Sequence, residues 1–204
     1  MVHCAVLLPL QPKGQSDSNI RRIFTTGFQS EWKSTMERQL LAISPKARLL
    51  SVDYGKNPKY YQAAPIKITF RYEIPDYALR GEGEMFFRPM VMNNLYNQVR
   101  SYMWIDTSVE NRKYGFKDGC SRLVELDETI QLPAGYKLVS AAKDETMQGV
   151  GADFEGSLVQ KGNKVLLHNR LALKKRVYEA SDWESFRNAV NAHKAYGEYL
   201  VIKK

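Results

Sequence analysis

The chain has 204 residues, a formal net charge of +8, 44% hydrophobic and 25% charged residues, and 3 Trp, 12 Tyr and 8 Phe. That aromatic content excludes a wholly disordered chain, and no apolar run approaches the roughly 18 residues a membrane span needs. The basic residues are dispersed, with short clusters only at Arg21-Arg22, Lys174-Lys175-Arg176 and Lys203-Lys204, so they read as solvated surface and not as a nucleic-acid interface.

Residues 1–18 read as a flexible N-terminal segment. The short apolar run Cys4 to Leu10 has neither a basic leader nor a small-x-small cleavage site, so it is a poor signal peptide. Gln11 to Ser18 has linker composition. Asp17 or Ser18 can then cap a helix spanning residues 19–46, on which Ile20, Phe24, Phe28, Trp32, Met36 and Leu40 recur every four positions as one apolar stripe. Gly27 is a place for a kink, and Ser44-Pro45 ends the helix. From residue 47 onward the pattern is that of a β-rich domain reaching residue 204.

The first strands are brief. Residues 49–54 alternate. Ile66, Ile68, Phe70 and Tyr72 face away from Lys67, Thr69 and Arg71 until Pro75-Asp76-Tyr77 breaks the strand. Arg80 to Gly83 is a hairpin-like turn into Met85-Phe86-Phe87. Residues 92–105 fit either a helix or a loop with aromatic plugs, and Tyr114 to Gly119 reads as a turn. Residues 122–130 alternate again, and a strand resumes at Tyr136 after Pro133-Ala134-Gly135.

Lys161-Gly162-Asn163 joins two long strands, residues 152–160 and 164–178, with Gly and Asn both suited to positive φ. On the second strand Val165, Leu167, Leu171 and Leu173 share one face. Leu166, His168, Arg170, Ala172 and Lys174 share the other, so one side is buried and one wet. Ser181 and Glu184 form a capping box for a last helix that carries Trp183, Phe186, Val190, His193 and Tyr196 on one side. Gly197 closes it, and Glu198 to Lys203 is a short strand that completes a sheet edge. The fold class is β-rich α+β: an antiparallel sandwich-type sheet with an N-terminal and a C-terminal helix.

The ordered set of elements over residues 20–204 carries a resemblance. Ile66–Tyr72 with Ile74-Pro75-Asp76-Tyr77, Gly83 to Pro89, Leu132 to Leu138, Phe186-Arg187 and Tyr199 to Lys204 resemble the C-terminal β-rich region of bacterial transglutaminase-like proteins. Those proteins carry domain of unknown function 3857 at their N-terminus, and the related C-terminal family is domain of unknown function 3858. The resemblance implies a non-catalytic accessory module in the periplasm or cell envelope. Its partner would be a transglutaminase-like domain of the same parent protein, which would also supply the export signal.

Sites of that family run Cys, His, Asp, and this chain offers Cys120, His168 and Asp182 in that order. The nucleophile needs a helix N-terminus to favour its thiolate. Cys120 instead follows Gly119 and opens a strand pattern, His168 lacks a following His-x-Trp context, and Asp182 stands beside a helix cap. No catalytic, cofactor-binding or metal-binding residue is therefore assigned. Cys4 and Cys120 match no metal-ligand spacing and read as buried thiols, and His193 reads as a packed core histidine. Two alternatives remain: an envelope binding module that takes protein or glycan through Tyr96, Tyr102 and Trp104, and a cysteine hydrolase using Cys120.

Overall fold

A computed structural model of the chain describes residues 3–10, 15–56, 58–59, 68–89, 106–119, 121–140 and 144–204. Backbone contacts divide the chain into two compact units, Met1–Tyr77 with Asn94–Arg100, and Ala78–Asn93 with Ser101–Lys204.

The first unit holds a three-stranded antiparallel sheet, β1 (His3–Leu10), β3 (Ile68–Pro75) and β2 (Arg48–Asp53), with β3 in the centre. The expected flexible N-terminal segment is corrected here. His3 to Leu10 pairs with β3 over all its length, from His3 opposite Pro75 to Leu10 opposite Ile68. The apolar run is a strand because a distant strand supplies its hydrogen bonds, a partner no local pattern reveals.

The single helix expected over 19–46 is two helices, α1 (Gln15–Thr25) and α2 (Trp32–Leu41), separated by a 3-10 turn over Gln29–Glu31. The break has a local cause. The Thr25 and Thr26 hydroxyls both donate to the Arg22 carbonyl, at 3.2 and 2.8 Å, and Gly27 follows. Phe28 is then extended, and its N–H donates to the Glu31 carboxylate at 3.2 Å. The break ejects Phe28 from the stripe, leaving it 76% exposed while Ile20, Phe24, Trp32, Met36 and Leu40 are buried. Strand β2 is irregular as well, with a register shift against β3 between Leu49 and Ser51.

Among the described residues of the second unit every strand pair is antiparallel. One sheet runs β7 (Arg122–Gln131), β11 (Lys164–Leu173), β10 (Ala152–Lys161), β9 (Glu145–Gln148). A second runs β4 (Leu79–Arg80), β5 (Glu84–Phe87), β13 (Leu200–Lys203), β8 (Lys137–Ser140). A short pair, β6 (Phe116–Lys117) with β12 (Val177–Tyr178), occupies part of the stretch expected to be a turn. The β-rich α+β class is thus observed, its strands distributed over several antiparallel sheets.

Lys161 pairs with Lys164 across a two-residue turn, and Gly162 takes φ +61°. Asn163 does not share the positive φ expected of it. Glycine first and a right-handed residue second is the pattern of a type II′ turn, which needs only one left-handed position. Along β11 the inward Val165, Leu167, Leu171 and Leu173 are buried, as the alternation requires.

Helix α3 (Trp183–Ala195) lies on that inner face, against β10, β11 and β9. It buries Trp183, Phe186, Ala189, Val190 and His193, with Tyr196 just beyond its end. The expected Ser181–Glu184 box is displaced. A 3-10 turn over Ala180–Asp182 precedes the helix, Ser181 is exposed, and the Glu179 N–H donates to Asp182 Oδ2 at 2.8 Å. The box sits two residues earlier because Asp182 is also tied to Lys175 Nζ at 2.7 Å, a contact that anchors it from outside the helix. Strand β13 is corrected too: it lies between β5 and β8, inside the sheet and not at its edge.

Candidate functional site

The face of the β7-β11-β10 sheet opposite α3 concentrates the chain's exposed chemistry. In the register, Asp127 of β7 faces His168 of β11, and His168 faces Ser157 of β10, so the three form one row across the sheet. His168 Nδ1 lies 2.8 Å from Asp127 Oδ1. A shallow depression of about 390 Å³ opens over this row, lined also by Val159, Lys161 and Leu166. Glu125, two residues along β7, brings its carboxylate to the same place, and ligand atoms of Glu125, Asp127 and His168 lie within 4.8 Å of one another. One imidazole and two carboxylates are a donor set for a borderline divalent ion. All three side chains are exposed or half-exposed, and Asp127 already occupies the imidazole.

The row has the residue types of an acyl-transfer triad, and its His168 stands on a strand paired on both sides.

Ser157 was findable from sequence: it and His168 each lie four residues from the paired Lys161 and Lys164. Asp127 was not, because the β7–β11 register is set by a connection of some thirty residues and not by a tight turn.

Of the residues considered as a triad, His168 and Asp182 stand on opposite faces of the sheet. Cys120 lies outside the described residues. His168 is on the outer face with Asp127, whereas Asp182 is buried at the start of α3 on the inner face. The Lys175 ammonium, and then the Glu179 N–H, hold the Asp182 carboxyl below its ordinary range. His193 is fully buried, with Nδ1 2.5 Å from Asn169 Oδ1, and packs as the sequence suggests. Tyr96, Tyr102 and Trp104 lie outside the described residues.

A cluster the sequence did not reveal surrounds the head of α3. Phe116 stacks on Tyr178 at 4.6 Å between ring centroids and meets Trp183 and Phe186 edge-on. The Arg112 guanidinium lies 4.2 Å from the Trp183 ring centroid and 4.8 Å from that of Phe116. Burial raises the Tyr178 phenol above its ordinary value. Trp183 Nε1 donates to the Val109 carbonyl at 2.9 Å, and Arg187 Nε to the Thr107 carbonyl at 2.8 Å, so residues 107–112 are strapped across the helix.

Among its described residues the second unit is thus an antiparallel β-rich module with one α-helix, whose head is packed in an aromatic cluster. The family described as Domain of Unknown Function with solved-structure structure (DUF3858) matches residues 83–201, and the chain belongs to that family. Among solved structures, the chain is similar to a putative protease from Parabacteroides distasonis ATCC 8503, with 12% identity and a TM-score of 0.49. That alignment covers 60% of this chain and 24% of the other, so the chain spans about a quarter of that protein's length. No curated protein matches the chain. No described helix is long and apolar enough to cross a membrane.

Proposed function

We propose that this chain is a non-catalytic accessory module of a bacterial envelope protein, serving a transglutaminase- or protease-like domain of the same parent. The observation that carries the reading is how its reactive side chains are used. Asp127 bonds His168, Lys175 and the Glu179 N–H bond Asp182, and Asn169 bonds His193. Each contact holds strands or a helix together. Membership of the family and the resemblance of residues 20–204 to transglutaminase-associated regions support the same role.

We assign the contact with the catalytic domain to the outer sheet face. Val159, 41% exposed, stands there opposite Leu166 with Lys161 and the Asp127–His168 pair nearby, and Leu123, 58% exposed, lies farther along the same face beyond Glu125. Exposed apolar side chains interspersed with charged ones suit a docking surface of mixed composition, since such interfaces are about as apolar as the rest of a protein's surface.

The test is to mix the chain with the transglutaminase-like domain of the proposed parent protein and measure binding by calorimetry. A complex is expected, and Leu123→Asp and Val159→Asp should weaken it at least tenfold. Absence of a complex at about 100 µM, the scale on which weak partners associate, overturns the docking role. A peptidase or acyl-transfer activity of the chain alone that disappears in Cys120→Ala overturns the non-catalytic one.

A further inference from the structure

The first unit contains a second pocket, outside the residues the family model matches. It measures about 300 Å³ and is lined by Trp32 of α2, Val52 and Asp53 of β2, Tyr54, Pro58 and Gln29. Trp32 is 4% exposed. The indole Nε1 of Trp32 and the hydroxyl of Tyr54 are both buried, and neither has a hydrogen-bond partner among the described residues. Native folds seldom leave such groups unpaired, because each forfeits the hydrogen bond it made in water. Two orphaned groups in the lining of one pocket point to an absent occupant.

We propose that this pocket binds a neutral pyranose, as a free sugar or as the end of a glycan. The indole N–H can only donate. Burial, with Glu37 adding to it, raises the Tyr54 phenol above its ordinary value, so the hydroxyl keeps its proton and can donate too. Two donors call for oxygens on the ligand. Asp53 and Gln29 supply acceptors: Asp53 Oδ1 takes the Gly55 N–H at 2.9 Å, and its other oxygen remains for a ligand hydroxyl. A ligand that both accepts and donates through neutral groups is a polyol.

Trp32 and Tyr54 meet edge to face at 5.3 Å between ring centroids, which brings the indole N–H and the phenol hydroxyl into one lining, and Val52 and Pro58 stand beside them. Pro58 is held by Arg21 Nη1, which donates to its carbonyl at 3.1 Å. The volume exceeds by far the roughly 30 Å³ share of a single water. It stands at the lower end of the range for small-molecule sites, room for one ring.

The experiment is saturation-transfer-difference NMR on the full chain. The ligands are glucose, galactose and N-acetylglucosamine at about 10 mM, high enough to register millimolar Kd values, with acetate and glutamate as anionic controls. The methyl glycoside of whichever sugar binds separates a free sugar from a chain end. Transfer from at least one neutral sugar is expected. Tyr54→Phe, which keeps the ring and removes the hydroxyl, should raise its Kd about tenfold, as should Asp53→Asn. Val177→Ser, an exposed residue of the second unit, should leave it unchanged. Three results overturn the proposal: no transfer from any neutral sugar, an undiminished signal in a folded Tyr54→Phe variant, or stronger transfer to the anions.

Discussion

At the scale of the residue, Gly156 sits directly against two buried aromatic rings. A Cβ there would stand 2.5 Å from Tyr196 Cζ and 2.6 Å from Phe154 Cζ, and both side chains are 1% exposed. Neither ring has room to retreat. Gly156→Ala should therefore destabilise the chain by about 1–3 kcal/mol, the usual cost of overpacking, read as a lower urea midpoint; an unchanged midpoint would contradict the packing. Tyr196 itself gives a pH prediction. Burial, reinforced by Asp144 and Glu145, pushes its phenol up to about 12, against 10.0 in the unfolded chain. The folded state keeps a proton that the unfolded state loses, so this stabilisation is complete below pH 10 and disappears as pH rises through about 12. Denaturation at pH 9 and pH 11 should show a lower midpoint at the higher pH, and Tyr196→Phe should reduce that difference. At the head of α3, Ser181 is exposed, and Ser181→Ala should stay within about 0.5 kcal/mol of the parent. Asp182→Ala strands the Lys175 ammonium and the Glu179 N–H and should cost clearly more. Because the Asp182 carboxyl is held below its ordinary range, its contribution persists above the unfolded carboxylate pKa and fades as pH falls through the folded one. Equal urea midpoints for the two variants at pH 7 would restore Ser181 as the cap.

At the scale of the element, β13 is the last strand in the chain and an inner strand of its sheet. Its register places Leu200 opposite Phe87 on one side and Ile202 opposite Leu138 on the other, and both Leu200 and Ile202 are buried. Deleting residues 199–204 removes the partner of two strands at once and exposes both to solvent. The truncated chain should lose cooperative unfolding in the second unit, seen as a flattened near-ultraviolet circular dichroism signal. A sharp transition at the parent midpoint would show β13 to be dispensable. The two N-terminal helices illustrate the opposite dependence. Their stripe of apolar residues continues through the break, but Thr25, Thr26, Gly27 and the Glu31 carboxylate redirect the backbone locally, and Phe28 pays with exposure.

At the scale of the molecule, the second unit has a core drawn from within residues 78–204. Phe154, Leu158, Leu167, Leu171, Trp183, Phe186, Val190, Tyr196 and Ile202 are all buried. Its strands also find their partners within that range. A chain of residues 78–204 should accordingly fold, with a single cooperative denaturant transition and a circular dichroism spectrum dominated by strand. A molten spectrum without a transition would show that the core depends on the first unit. Separate folding would also place the proposed sugar pocket and the proposed docking face on parts that can be assayed apart.

Short-range patterns carried much of the architecture. Period-two alternation along residues 122–131 and 164–173 is enough to place two strands and to orient Val165 and Leu167 inward and His168 outward, because a half-buried strand has no other way to hide its apolar side chains. A glycine at position 162 made the hairpin and, with it, the Ser157–His168 pair legible. The identity of α3 and its buried face followed from the Trp183, Phe186, Val190 stripe. Tertiary structure alone decided the rest. The pairing of β1 with β3, the interior position of β13, the meeting of Asp127 with His168 and the unpartnered Trp32 and Tyr54 in one pocket all join segments far apart in sequence. The physical reason is common to them: a strand's periodicity says which side chains turn inward, but its hydrogen-bonding edge is nearly the same at every residue, so the choice of neighbour belongs to the packing of the whole chain.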